Sequence, residues 1–346
     1  VGSEMCIRDR FDSDDGNITI TDTELSGIYN YPQNDTLIFR NNGNLNISNT
    51  GEQGIYNYTY QQQSTILFEN DENGVIDIQD VALDAIYNYS LIWDTTYTTK
   101  QVFDNSGTLK FSNLAHKGLH TNAYRRIDMD IINSGRIEAN NVGEEAIFNK
   151  TRTDGSFLHS QLSFVNSGEI DITNNQKRAI YNLNENGIMD FISSGNIKID
   201  TGTQEGIYNL NIRTSYDRYD STAFVFQNSG TIDIQNTNYE GFKSVNYAGD
   251  FTIQNDGLIH LQKIKREALE TVNYSDSLFF TNNGLIYLHD NDKEALYNSN
   301  NSLDKLQFTN TTCGTIDVDG RIKNYGTSSL LNQGLLVSHY DCLLYT

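Results

Sequence analysis

Phe164-Val165-Asn166-Ser167-Gly168-Glu169-Ile170-Asp171-Ile172, followed by Ala179-Ile180-Tyr181-Asn182, is one copy of a pattern that fills this chain. A second clear copy runs Phe226-Gln227-Asn228-Ser229-Gly230-Thr231-Ile232-Asp233-Ile234. The shared form is F-x-N-[SND]-G-x-I-x-I, then A/G-I-Y-N. Its glycine recurs at Gly16, Gly43, Gly74, Gly107, Gly135, Gly168, Gly195, Gly230, Gly257, Gly284 and Gly314. The interval varies from 27 (43 − 16) to 35 (230 − 195). From the glycine to the apolar residue of I-Y-N the distance is 12 in ten copies, as in Gly16 to Ile28 and Gly284 to Leu296. From there to the next glycine it ranges from 15 (Ile28 to Gly43) to 23 (Ile207 to Gly230). A half of constant length and a half that takes insertions place the loops on one side of a stack of repeats, where extra length costs little closure entropy.

Within a copy the apolar residues alternate, the period of a strand. Leu162/Phe164 precede the glycine, Ile197/Ile199 follow another, and the Ile and Asn of I-Y-N make a third pair. Each repeat is therefore expected to be one coil of three short strands, with the glycine at a turn that needs positive φ. Alone, a coil buries five or six apolar side chains worth about 1.5–3 kcal/mol each, against roughly 1–2 kcal/mol per ordered residue. Its strand N–H and C=O groups also lack partners until neighbouring coils supply them. The expectation is an all-β, right-handed, single-stranded parallel β-helix (β-solenoid) of about eleven coils of roughly 30 residues, stacked at about 4.8 Å. Asn41, Asn70, Asn105, Asn133, Asn166, Asn228, Asn255, Asn282 and Asn310 share one position, with Ser193 as the exception. A second column runs through Asn30, Asn57, Asn88, Asn149, Asn182, Asn209 and Asn298. Stacked side-chain amides bond from coil to coil, so both columns are expected to be structural ladders. Tyr29, Tyr56, Tyr87, Tyr181, Tyr208 and Tyr297 alternate with inward Ile and Asn and are expected to face outward.

The two ends read differently. Met5-Cys6-Ile7-Arg8-Asp9-Arg10 back-translates to a string whose reverse complement encodes Cys342-Leu343-Leu344-Tyr345-Thr346. One short DNA tag in opposite orientations, similar to a transposase end of sequencing libraries, accounts for both. The expected division is 1–10 tag, 11–337 β-helix with atypical, capping coils from about 308, and 338–346 tag-derived tail. Setting Cys6 and Cys342 aside leaves Cys313, so no disulfide framework is implied. The net charge of −21, from 24 basic and 45 acidic residues, argues against nucleic acid, which needs clustered Lys and Arg. No apolar run approaches the roughly 18 residues of a membrane span.

This repeat resembles the β-helical passenger and adhesin repeats of secreted Gram-negative bacterial proteins, including autotransporter-like and surface-array proteins. The resemblance covers nearly all of 11–337. It implies an extracellular or outer-surface location and loops that bind outside the cell; it carries no active-site residues to transfer.

The expected function is a structural or adhesive stalk that holds a glycan or surface by its loop side. Long insertions follow Tyr89, Asn149 and Asn209, and two of them carry Trp93 and Tyr97, then Tyr216 and Tyr219. Aromatic loop residues bury much area at small entropic cost. Two alternatives remain: a passive spacer, and a polysaccharide lyase or glycoside hydrolase. Hydrolysis needs two carboxylates at a set separation. Arg321-Ile322-Lys323 resembles the R-I-K triplet of polygalacturonases and Asp14-Asp15 their paired aspartates, but about ten coils separate them and no His-Gly motif accompanies them. Asp77, Asp171, Asp233 and Asp317 share an outward position with Lys110, Lys198 and His260, as a solvated face would. An enzyme should gather three or more acids with a Lys or Arg in one groove; a stalk should not. No cofactor is implied. The histidines 116, 120, 159, 260, 289 and 339 show no ligand spacing beyond His116/His120. Asp12–Asp15 and Asp290–Asp292 are of a type that holds calcium loosely, and read as polar turns.

Overall fold

The computed structural model describes the chain apart from residues 1–4, 8–9, 14–15, 33–34, 61–63, 93–98, 154–159, 203, 214–221, 340–343 and 346. The described residues contain no helix, and the strands form parallel sheets, the parallel β-helix that the repeat predicts. The chain falls into two compact units, Val1–Gln176 and Lys177–Thr346. In each, every coil contributes one strand to each of three sheets. We call these the Phe sheet (for example Thr65–Asn70), the Ile sheet (Val75–Gln79) and the Tyr sheet (Ile86–Leu91). The register keeps like with like: Phe39 opposite Phe68, Ile47 opposite Ile78, Ile55 opposite Ile86.

Alternate residues of every strand point inward and fill the core. Phe11, Phe39, Phe68 and Phe103 stack with ring centroids 4.3–4.5 Å apart. In the second unit Phe224 stacks on Phe251 and Phe280 on Phe308. Where the strands turn, buried amides continue the column. Each Asn Nδ2 of the Phe sheet donates to the next coil's Oδ1 at 2.7–2.8 Å, from Asn41 through Asn70, Asn105 and Asn133 to Asn166. In the second unit the same chain of bonds runs from Asn228 through Asn255, Asn282 and Asn310 to Asn332. Most of these amides also donate to a turn carbonyl of their own coil, as Asn70 does to Gly74 and Asn255 to Gly257. The second column is interrupted: Asn30 donates to Asn57 and Asn57 to Asn88, Thr121 takes the next place, and in the second unit Asn182 donates to Asn209 and Asn298 to Asn324.

The repeat glycine departs from expectation. Among the described glycines positive φ occurs at Gly249 and Gly326, not in the repeat column. A Cβ on Gly135 would lie 2.1 Å from the Gly107 carbonyl oxygen, and one on Gly168, Gly257 or Gly284 2.0 Å from that of the preceding coil's glycine. Glycine is required because two backbones approach too closely for any side chain. The left-handed residue stands six places later, at Asp22, Asn49, Asp80, Asn113, Asn141, Asn174, Asn236, Lys263 and Asp290. Asn and Asp tolerate that conformation best among side-chain-bearing residues.

Past 308 the pairing continues. Ile322–Gly326, Ser329–Asn332 and Leu335–Ser338 add a strand to each sheet, and Gly334 approaches Gly314 as other repeat glycines do. The backbone of Met5–Ile7 pairs with Ile28–Asn30, and that of Leu344–Tyr345 with Ile322–Lys323.

Candidate functional site

Trp93, Tyr97, Tyr216 and Tyr219 lie outside the described residues. Three ensembles within them gather chemistry.

The first is an outward groove on the Ile sheet of the first unit. Asp77, Lys110, Glu138 and Asp171 occupy one register position on four successive coils. Arg136 adds a second cation, 2.7 Å from Glu138 and 3.7 Å from Asp171. These five residues line one shallow groove with Phe111, Ser112, Ala139, Asn140 and Thr173. Burial raises the carboxyl pKa of Asp77, with Lys110 opposing and Glu138 reinforcing it. Asp77, Lys110 and Asp171, which look scattered along the sequence, are brought together here, and with Glu138 and Arg136 the groove meets the three-acids-and-a-base criterion. The corresponding position of the second unit carries Lys198, Asp233, His260, Tyr287 and Asp317, where His260 pairs with Asp233 at 2.9 Å.

The second ensemble is the outer face of the Tyr sheet in the first unit. Tyr29, Tyr56 and Tyr87 form one column, with centroids 5.3 and 5.2 Å apart. Tyr31, Tyr58 and Tyr89 form a parallel one, 5.5 and 5.6 Å apart, flanked by Tyr60. Sequence reasoning found the first column and missed the second, although its members stand at a constant 15 residues after Gly16, Gly43 and Gly74. Tyr56 lies flat on Tyr87 and Tyr58 on Tyr89, while Tyr29 tilts by 41° against Tyr56, so the columns cover much of their π-faces and present ring edges and hydroxyls. Burial pushes the Tyr58 hydroxyl up to about 12, and raises those of Tyr56 and Tyr87 as well. All three therefore remain protonated donors at physiological pH. In the second unit the stack is interrupted: Tyr181 lies on Tyr208, but Lys243 and Glu270 occupy the next two coils.

The third ensemble consists of histidines around aspartates. Asp84, nearly fully buried, accepts from His116 Nδ1 and His120 Nδ1, both at 2.7 Å. His116 Nε2 reaches Glu144 at 3.0 Å, and Lys117 pairs with Glu144. The His120 ring is held between Tyr87 and Phe148, and its Nε2 has no hydrogen-bond partner. Burial alone would raise the Asp84 pKa, but the two imidazoles and Lys117 outweigh it and hold the carboxyl below its usual range. Burial also lowers the His120 pKa, against the pull of Asp84. In the second unit Asp317 Oδ1 lies 3.0 Å from both His289 Nε2 and His339 Nε2.

The polygalacturonase-like residues do not form such an ensemble. Arg321 and Lys323 both turn to Glu294, at 3.4 and 3.9 Å, and Asp14 and Asp15 lie outside the described residues. Asp290 closes a polar turn, accepting from Gln262, while Asn291 accepts from the Ile264 N–H. No helix among the described residues is long and apolar enough to cross a membrane. No family model matches this chain, and neither does a curated protein or a solved structure.

Proposed function

We propose that the chain is an extracellular β-helix that holds a glycan or glycan-coated surface by its flank. The observation that carries this reading is the double tyrosine column on the first unit. Seven tyrosines make an uncharged strip on a chain of net charge −21. Their hydroxyls repeat once per coil, an interval commensurate with successive sugars of an extended polysaccharide. The rings are already fixed by stacking, so a ligand that hydrogen-bonds to them pays little ordering entropy. Many weak contacts in a row then add up through effective concentration. The extracellular setting rests on the resemblance of the repeat.

A second reading, a glycoside hydrolase or polysaccharide lyase, draws support from the acidic groove. Asp77 and Glu138 stand two coils apart, roughly 9–10 Å between backbones, near the upper end of the about 6.5–9.5 Å separating the carboxyls of inverting glycosidases. One set of assays separates the two. Retention on neutral polysaccharides that falls at least tenfold in Tyr58→Ser/Tyr89→Ser, with no bond cleavage, is expected. Trp93→Ala reports on the loop side in the same assay. No retention on any glycan by wild type would overturn the binding reading. Release of reducing or unsaturated ends from acidic polysaccharides, lost in Glu138→Gln, would replace it with the enzymatic one.

A further inference from the structure

We infer that His289, Asp317 and His339 form a binding site for a divalent transition-metal ion of the zinc class. The repeat itself builds the site. Counted from the glycines that take the same place in their coils, His289 and His339 are both five residues on (284 + 5 and 334 + 5), and Asp317 is three residues on (314 + 3). The two imidazoles thus sit on the coils on either side of the one that carries the carboxylate. Nε2 of His289 and Nε2 of His339 each lie 3.0 Å from Asp317 Oδ1. The three donor atoms all fall within 4.8 Å of one another. Tetrahedral zinc, with bonds of about 2.0–2.2 Å, holds neighbouring ligand atoms roughly 3.3 Å apart. The two nitrogen–oxygen edges are close to that value before any ion enters.

The surroundings favour such an ion. The His289 ring lies flat on Tyr287, 3.7 Å between centroids, which fixes its orientation. The His289 side chain is 14% exposed, that of Asp317 25% and that of His339 53%, so solvent reaches the site and water can complete the coordination. Two imidazole nitrogens with one carboxylate oxygen suit zinc, cobalt or nickel, whereas calcium prefers an all-oxygen shell. His339 falls in the 338–346 segment read as tag-derived, but the codons that match the tag account for Cys342–Thr346, beyond it. An ion here would tie together three successive coils and stabilise the fold by mass action.

Cobalt(II) titration of the full chain, freed of metal by chelator, tests the inference. One ion per chain should bind, with the visible bands of a four- or five-coordinate N/O site and no thiolate band. His339→Gln, just past its strand, should weaken binding at least tenfold while leaving the β-sheet circular dichroism unchanged. His289→Gln should do the same, and Cys313→Ser should not. Zinc should raise the thermal midpoint of wild type but not of His339→Gln. Absence of stoichiometric binding, or binding indifferent to both histidine variants, would overturn the site and leave two imidazoles hydrogen-bonded to Asp317 only.

Discussion

The two units build the same corner of the coil from different materials. Four residues into the Tyr strand, the second unit carries Asn184, Asn211, Asn246, Asn273 and Asn300, a third amide column bonded coil to coil at 2.9–3.1 Å. The first unit has Thr59, Ser90, Ala123 and Thr151 there. Each Asn of the short corners also ties down its own turn, as Asn184 does to Gly187 and Asn246 to Gly249. Long insertions follow corners in both units, after Tyr89 and Asn149 in the first and after Asn209 in the second, but in the first unit the stacking moves outside, to the tyrosines. One backbone can thus be braced from within by amides or from without by rings. Bracing from without puts a regular surface where a partner can reach it.

Four measurements would break or sharpen that contrast. The largest effect is expected where the units should not differ. Gly135→Ala in the first and Gly257→Ala in the second each drive a Cβ into a backbone carbonyl 2.0–2.1 Å away, and each should cost more than about 4 kcal/mol. Tolerance of either in urea unfolding would mean that the coil spacing of that unit can expand. Next, Asn246→Ala should cost about 2–5 kcal/mol, because it strands the buried amides of Asn211 and Asn273 at about 1–3 kcal/mol each. Its counterpart Ser90→Ala loses one bond, from Thr59, and should cost about 1 kcal/mol. Equal losses would collapse the distinction between inner and outer bracing.

Acid should act mainly on the first unit. The folded pKa of His120 is depressed, so the unfolded chain takes up that proton first and stability falls as pH drops below about 6.5, by up to about 1.4 kcal/mol per pH unit. The depressed Asp84 adds stability that is complete above about 3.9 and is lost as pH falls through its folded value. Hydrogen exchange at pH 7 and pH 5 should show Leu119–Tyr124 loosening while Leu269–Asn273 holds. The same response in both would remove the Asp84 cluster as its cause. The smallest effect concerns Arg126, at φ 49° in a corner where the second unit places Asn186, Gly249 or Asp276. Arg126→Gly should raise stability by about 1 kcal/mol in thermal unfolding, the left-handed penalty relieved.

The architecture was legible because strand period and coil spacing both leave marks at constant offsets from one glycine. The third Asn column carries the same mark, since Asn184, Asn211, Asn246, Asn273 and Asn300 all stand 16 residues after a repeat glycine; its signal was present and went unread. The reason for the glycine was not legible. A letter that permits positive φ is the same letter that permits close approach, and only the distance to the carbonyl separates them. The sites were hidden for another reason. Asp84 and His116 are 32 residues apart, and Asp77 and Glu138 are 61 (138 − 77), separations that become neighbourhood only once insertions of unequal length are folded out of the count.

The amide columns have a sense of direction. In every Asn-to-Asn bond of the Phe sheet described above, the lower-numbered coil donates and the higher-numbered one accepts. Aligned amides polarise one another, so a bond in mid-column is stronger than an isolated one. It also makes coils interchangeable parts: a coil duplicated or deleted whole presents the same donor below and the same acceptor above, and the seam closes without repair. A repeat added or removed whole keeps every amide in its column, whereas a fraction of a coil moves the amides out of register and leaves them without partners.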